Sequence, residues 1–411
     1  MVLKKILLAV NFYKIITMKY RPRPRSNKNN KVRRKFGSPV SPLSPHPTFF
    51  PIPPDHIQPA DLSYQLGNLL TKSQMNSIQQ SGKIVFHMVG DTGGISGTQV
   101  QDAIAVQMEN QFQQSSNGIA PSFFFHLGDV IYYNGQSANY LPQFYDPYKY
   151  YPAPIFAIPG NHDGDPLIIN KLPVEPSLTG FFENFCSPSR QTTPNSPYRY
   201  TMDQPWPYFV LNTPFATIIG LYSNVDGSLD DPSSKNQPQY DWFVQQLSGA
   251  DKNKCLLLTL HHPPYSLDAV HGGYQDMLDA IDQASQTAKR YPDAVFTGHV
   301  HNYQRFTRKI NKNFYPYVIA GAGGYADAPK SMHKLQDNPK TGTSEISVPF
   351  QTTLKDVVFE KYNTSQPGFL RITIDKQTLT GEYFINSFDN TPPPLNAFDV
   401  FTLNWKNHTM Q

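Results

Sequence analysis

Short apolar runs along this sequence end, one after another, in side chains that bind metals or move protons. Asp91 follows the run 83–89, Asp129 follows 122–127, and Asn161 and His162 follow 155–158. His261 and His262 follow 256–260, and His299 and His301 follow 294–297. Each cluster has a structural reading of its own. Asp91 in Asp-x-Gly can cap a helix, Gly128-Asp129 can make a tight turn, and Asn161 can turn the chain after Pro159-Gly160. His261-His262-Pro263-Pro264 can be a rigid corner, and His299-x-His301 can be core histidines at strand spacing. Together they form a set of oxygen and nitrogen donors without thiolates, which suits zinc, iron or manganese. Two such ions about 3.5–4 Å apart clamp both the attacking and the leaving oxygen of a phosphoryl displacement. A carboxylate, with two oxygens, can bridge them where an imidazole cannot. Chance does not place five such clusters in this order.

These residues need elements that bring them together. The runs 83–89, 122–127, 155–158, 256–260 and 294–297 read as strands, and the stretches 98–114, 239–247 and 273–289 read as helices. Strands alternating with helices imply a largely parallel, layered α/β core. Ligands in such sheets sit at the carboxyl ends of the strands, so the clusters should converge at one sheet edge.

The blocks Gly90-Asp91-Thr92-Gly93-Gly94, Gly128-Asp129-Val130-Ile131-Tyr132, Gly160-Asn161-His162-Asp163, Leu258-Thr259-Leu260-His261 and Gly298-His299-Val300-His301 resemble a known set. They are similar to the D-x-G, G-D-x-x-Y, G-N-H-[ED], V-x-x-H and G-H-x-H blocks of the calcineurin-like metallophosphoesterases, and within these of the purple acid phosphatases. The resemblance runs from residue 83 to about 325, where 317–324 looks like the family's closing strand and Gly-rich turn. Leu258 stands where the fourth block usually has Val.

The resemblance implies an α/β fold of two mixed β-sheets packed as a sandwich flanked by helices. It implies two metal ions: Fe(III) held by Asp91, Asp129, Tyr132 and His301, and a divalent zinc, iron or manganese held by Asp129, Asn161, His261 and His299. His261 is taken as the ligand because the family's ligand stands two positions before a proline, which leaves His262 behind the metal or facing substrate. The first block separates branches of the family. Many members carry D-x-H there and use that histidine as a ligand, whereas Gly93 offers no donor and the resemblance implies that a Tyr132 phenolate would fill the gap, where Tyr132 could otherwise be an ordinary aromatic beside Tyr133. The implied reaction is hydrolysis of phosphate monoesters by in-line attack of a metal-activated hydroxide. His162 and His271 would contact the phosphate and serve catalysis, His262 would be a further substrate contact, and Asp163 would orient His162.

Composition divides the chain of 411 residues. Residues 1–36 hold twelve Lys/Arg and no acid, which leaves 23 basic against 31 acidic residues, a charge of −8, for 37–411. The acidic body argues against sequence-specific nucleic-acid binding. The basic arm 1–36 offers contact to a membrane or polyanion. It also opens with Lys4-Lys5 before the apolar 6–10, interrupted by Asn11 and Lys14, which tilts localisation toward export and leaves the cytoplasm open. Residues 37–82 read as a proline-rich connector and 83–405 as the catalytic domain. Two cysteines, Cys186 and Cys255, support neither a disulfide framework nor a thiolate zinc site. The polar stretch 326–365 reads as a long loop, and 369–384 as a hairpin turning near Asp375-Lys376. Asn363-Thr364-Ser365 and Asn407-His408-Thr409 fit glycosylation acceptors. The alternatives to a small-molecule monoesterase are a phosphodiesterase acting on nucleotides or phospholipid headgroups, and a non-catalytic module that binds membranes or polyanions.

Overall fold

Alternating apolar residues along each strand point to two different neighbours, and that alternation sets the layers. In Cys255–Leu260, Cys255 and Leu257 pack into one core while Leu256, Leu258 and Leu260 pack into another. Phe209 and Leu211 likewise face the first core and Val210 the second. A strand buried on both faces reads as a continuous apolar run, as these do. The computed structural model of the chain describes residues 35–40, 48–94, 97–113, 120–325, 332–388 and 393–411, so nearly all of the basic arm lies outside the described residues.

Among the described residues two large mixed sheets form. The nine-stranded sheet runs Ser63–Gln65, Phe209–Asn212, Ala216–Gly220, Cys255–Leu260, Ala294–Thr297, Asn313–Ala320, Tyr303–Ile310, Val357–Asn363, Phe350–Gln351. The seven-stranded sheet runs Thr409–Met410, Asp399–Asn404, Thr378–Ile385, Gly368–Asp375, Lys83–Val89, Phe124–His126, Ile155–Ala157. The core between them is aromatic, with the Phe125 and Phe209 rings stacked 6.1 Å apart across the layers. The helices Pro238–Gly249 and Gln275–Ala288 cover the outer face of the nine-stranded sheet through Phe243, Leu247, Met277 and Ile281. The helix Gln99–Gln113 presents Gln111 to His87 on the seven-stranded sheet.

Three sequence expectations change. The site-bearing strands fall into both sheets: those before Asp91, Asp129 and Asn161 are parallel neighbours in the seven-stranded sheet, and those before His261 and His299 in the nine-stranded one. The residues therefore converge where two sheets meet, not on one sheet edge. The proline-rich connector carries regular structure. Ser63–Gln65 pairs in parallel with Phe209–Asn212, and Lys72–Ser81 is a helix with a Thr71/Gln74 capping box, so Phe36 onward is one folded unit. The stretch 326–365 is not all loop, because Val357–Asn363 pairs with Tyr303–Ile310 and buries Val357 and Phe359. The expected 369–384 hairpin forms as Gly368–Asp375 and Thr378–Ile385, and its first strand pairs with Lys83–Val89.

Candidate metal centre

Three of the candidate ligands sit in left-handed backbone: Asp91 at φ 59°, Asp129 at φ 51° and His299 at φ 67°. Such conformations are uncommon outside glycine and cluster at functional sites. The neighbouring glycines make room. A Cβ on Gly160 would stand 2.1 Å from Asp129 Oδ1, and one on Gly298 would stand 2.6 Å from Asp91 Oδ2.

Two adjoining donor sets result. In the first, the Tyr132 hydroxyl lies 3.2 Å from Asp91 Oδ1 and 3.3 Å from His301 Nε2. His301 Nε2 is 3.4 Å from the same carboxylate oxygen, which closes the triangle. In the second, His261 Nε2 lies 3.3 Å from Asp129 Oδ2 and 3.2 Å from Asn161 Oδ1, and His299 Nδ1 lies 2.9 Å from Asn161 Oδ1. The ligand atoms of Asp129, His261 and His299 all fall within 4.8 Å of one another. Donors held about 2.1 Å from one ion stand roughly 3–3.4 Å apart, so both sets are spaced as ligands of a common cation are. His261 Nε2 is also 4.0 Å from Asp91 Oδ1, which places the two sets side by side.

The hydrogen bonds fix which nitrogen faces inward. His261 Nδ1 donates to the Leu127 carbonyl at 2.8 Å, leaving Nε2 for the centre. His299 Nε2 pairs with the Tyr274 hydroxyl at 2.7 Å, leaving Nδ1. Such partners orient a ligating imidazole and set its tautomer. The backbone N–H of His299 donates to Asp91 Oδ2 at 2.8 Å, and that of His162 donates to Asp129 Oδ1 at 2.9 Å.

Electrostatics point to the same fit. Burial pushes the Asp91 carboxyl well up, and the neighbouring Asp129 carboxylate adds to the effect. Burial opposes charge on His261 too, yet Asp129 and Asp91 outweigh it and raise the imidazole to about 9. Burial would also raise Asp129, but His261 and His162 hold it below the usual carboxylate range. Burial and then facing imidazoles drive His299 and His301 well down, so both are neutral, the form that ligates. Two buried carboxylates that draw a proton onto His261, beside the neutral His299 and His301, form a pocket that a cation satisfies. The residues present fit two metal ions.

Around this centre the structure corrects two readings. Asp163 does not orient His162. Its carboxylate accepts backbone N–H groups from Val130 (3.1 Å), Ile131 (3.3 Å) and Gly160 (2.8 Å), joining the loops that carry Asp129 and Asn161. His162 is instead held by Nδ1 donating to the Tyr133 carbonyl at 2.8 Å. His262, expected among the substrate contacts, is 1% exposed, and its Nδ1 pairs with Ser223 Oγ at 2.8 Å. Its ring lies 4.3 Å from His299, so it supports that residue from within. His162 and His271 are partly exposed, and the His271 ring lies 4.2 Å from that of His299.

Other side chains at the site carried no sequence signal. Tyr325 stacks on Tyr132 at 3.9 Å and meets His301 at 4.6 Å. Ser223, Tyr274, Asp268 and His333 also border it. Of these, only Ser223 follows an apolar run, 216–221, of the kind that marked the other clusters.

Two packed mixed sheets whose strand ends deliver adjoining oxygen and nitrogen donor sets make the arrangement on which metal-dependent phosphoester hydrolysis is built. The chain belongs to the calcineurin-like phosphoesterase family, whose model matches residues 85–303, more than half its length. Within that family it is similar to purple acid phosphatases. It is 27% identical over 205 residues to purple acid phosphatase 23 of Arabidopsis thaliana, covering 45% of this chain and 39% of that one. It is 30% identical over 137 residues to purple acid phosphatase 21 of the same plant, covering 32% and 31%. It is 26% identical over 155 residues to that plant's Fe(3+)-Zn(2+) purple acid phosphatase 12, covering 37% and 29%. The matched stretch thus spans only about a third of these relatives' own length. The fold is shared with the purple acid phosphatase PPD1 from yellow lupin (Lupinus luteus) seeds, at TM-score 0.53 and 17% identity over 78% of this chain and 54% of that one. It is shared also with PhoD, at TM-score 0.52 and 12% identity over 80% and 71%.

Proposed function

We propose that this protein hydrolyses phosphate monoesters with two metal ions, in the manner of a purple acid phosphatase. The observation that carries the reading is the triangle of Asp91, Tyr132 and His301 beside the set of Asp129, Asn161, His261 and His299. The first set, with a phenol among its donors, suits Fe(III), and the second suits divalent zinc, iron or manganese. Asp129, whose carboxylate offers two oxygens, would serve both. Bound there, the ions would neutralise the phosphate ester and supply a nucleophile below neutral pH.

The chain's own groups then have these tasks. His162, fixed through Nδ1 to the Tyr133 carbonyl, would turn Nε2 toward the ester oxygen and, as the imidazolium, pass the Nε2 proton to the departing alkoxide, leaving the neutral ring with its Nδ1 proton in place. His271 faces the same phosphate from beside His299. A water oxygen forms the new bond to phosphorus as the ester P–O bond breaks, and inorganic phosphate and an alcohol leave. Charge growing on the equatorial oxygens is met by donors already in place.

Replacing Asp129 by Asn tests the reading. Loss of metal from about two ions per chain, with at least a roughly thousandfold loss of p-nitrophenyl phosphate hydrolysis, is expected. A folded Asp129→Asn protein with full activity would overturn it. Faster cleavage of bis-p-nitrophenyl phosphate than of the monoester by the wild-type enzyme would move the assignment to a phosphodiesterase.

A further inference from the structure

We infer that His333 is a substrate-binding residue of this site, donating a hydrogen bond from Nε2 to a non-bridging oxygen of the bound phosphate. The inference rests on the phosphatase reading above and extends it to a residue outside all five sequence blocks.

The segment 332–336 is threaded between the two loops that carry the site histidines. The His333 N–H donates to the His301 carbonyl at 3.1 Å, and Asn302 Nδ2 donates to the His333 carbonyl at 3.0 Å. On the other side, Ala269 N–H donates to the Lys334 carbonyl at 2.9 Å and Gln336 N–H to the Leu267 carbonyl at 2.8 Å. His333 is therefore fixed by backbone pairing on both sides, unlike a surface histidine on a free loop.

Its ring lies nearly parallel to His301, 4.4 Å away and tilted by 25°, and 5.1 Å from His271. His299 and His301 are buried, whereas His271 and His333 are partly exposed. The latter two thus form an outer pair of imidazoles over the inner, ligating pair.

The nitrogen roles follow from the neighbours. The His301 backbone N–H donates to His333 Nδ1 at 3.4 Å, so in the neutral ring the proton resides on Nε2. Nδ1 also lies 3.6 Å from the buried Asp268 carboxylate, so that side of the ring faces inward. Among the described residues no group accepts from Nε2. Asp268 also accepts the backbone N–H groups of Val270 at 2.8 Å and His271 at 2.6 Å, so one carboxylate anchors both outer histidines. A donor held in place by its backbone and by contacts at Nδ1, beside a phosphate-facing histidine, is placed to take an anionic oxygen.

The test uses inorganic phosphate as an inhibitor of p-nitrophenyl phosphate hydrolysis by the metal-loaded full chain. His333→Asn keeps an acceptor near the Nδ1 position and removes the Nε2 donor, so the inhibition constant should rise about tenfold with metal content unchanged. His333→Gln restores an amide N–H near the Nε2 position and should stay within about threefold of wild type. Wild-type affinity in His333→Asn, or His333→Gln as weak as His333→Asn, would overturn the inference. Should either variant fail to fold or load metal, diethyl pyrocarbonate labelling of the wild-type enzyme decides. Saturating phosphate should slow carbethoxylation of His333 at least threefold while leaving His56 unaffected, and equal labelling of His333 with and without phosphate would overturn the inference. An active wild-type enzyme with either overturning result removes His333 alone. A metal-loaded wild type that neither hydrolyses the ester nor binds phosphate removes the phosphatase reading with it.

Discussion

Tyr132 holds a buried hydroxyl between Asp91 and His301, and burial followed by the Asp129 and Asp91 carboxylates pushes its phenol well above the ordinary value. A phenolate at this place therefore requires a cation of high charge to hold it. Iron-loaded protein is expected to show a visible phenolate-to-iron absorption band that disappears in Tyr132→Phe, measured by absorbance at constant iron content. A band that survives the substitution would assign the chromophore elsewhere. Tyr274 acts one step further out, through His299 Nε2. Removing its hydroxyl in Tyr274→Phe should weaken affinity for the divalent ion about tenfold, read by competition with a chelator, while the Tyr132 band stays. At this scale the sequence shows which donors stand at the end of their own strand, and the structure brings those donors together. Asp91, Asp129, Asn161, His261, His299 and His301 are of that kind. Asp163, His262 and His333 also depend on partners that the local sequence does not mark: Val130 and Ile131 for Asp163 beside nearby Gly160, Ser223 for His262 and the His301 N–H for His333. Nothing in a local window distinguishes a histidine that pairs with Ser223 from one that faces solvent.

Elements reach the site as pairs of loops, and the ties between loops matter as much as the strands. Asp163 joins the loop after Phe124–His126 to the loop after Ile155–Ala157 by taking three backbone N–H groups in a fully buried place. Asp163→Ala leaves those donors without a partner and should cost about 3 kcal/mol in urea denaturation of the metal-free protein. Gly160 has a different task. Its missing Cβ lets the chain pass against Asp129, where a Cβ would stand 2.1 Å from Oδ1 and 2.3 Å from the backbone nitrogen, so Gly160→Ala should displace Asp129 and lower metal content as well as stability. Equal metal loading in Gly160→Ala and wild type would show that the loop yields freely. Strand order explains what sequence left open at this scale. The runs before each cluster were legible as strands from their apolar character. Which parallel runs pair with which is settled by packing between distant residues, and so a single sheet edge was expected where two sheets meet. Val357–Asn363 escaped notice because it buries Val357, Phe359 and Asn363 but leaves the residues between them partly exposed, inside a polar stretch.

Stability of the whole molecule in acid depends on histidines buried in the seven-stranded sheet. His87 is fully buried between the seven-stranded sheet and the helix Gln99–Gln113, with Nδ1 accepting from the Tyr151 hydroxyl at 2.9 Å and Nε2 donating to Gln111 Oε1 at 3.1 Å. Both ring nitrogens are thus committed to a neutral imidazole. Burial pushes His87 down to about 3, with the Arg371 guanidinium adding to the effect against the Gln111 hydrogen bond. Burial also lowers His126 to about 3, with His261 contributing. In the unfolded chain these rings titrate near 6.5. Between the two values the unfolded state holds more protons than the folded one, so folding stability rises with pH there. The contribution is complete above about 6.5 and is lost progressively as pH falls toward 3, at up to about 1.4 kcal/mol per pH unit for each ring. His87→Gln removes one titrating group and keeps an amide for hydrogen bonding. Its stability, measured by urea denaturation at several pH values from 7 down to 4, should start lower at pH 7 and fall less steeply, by about 1 kcal/mol per unit at the acid end. Parallel curves for the two proteins would mean that His87 is protonated in the folded state, against its hydrogen bonding. Metal binding to the folded state alone offsets this loss by mass action. Metal-loaded protein should therefore keep its fold to lower pH than the metal-free chain.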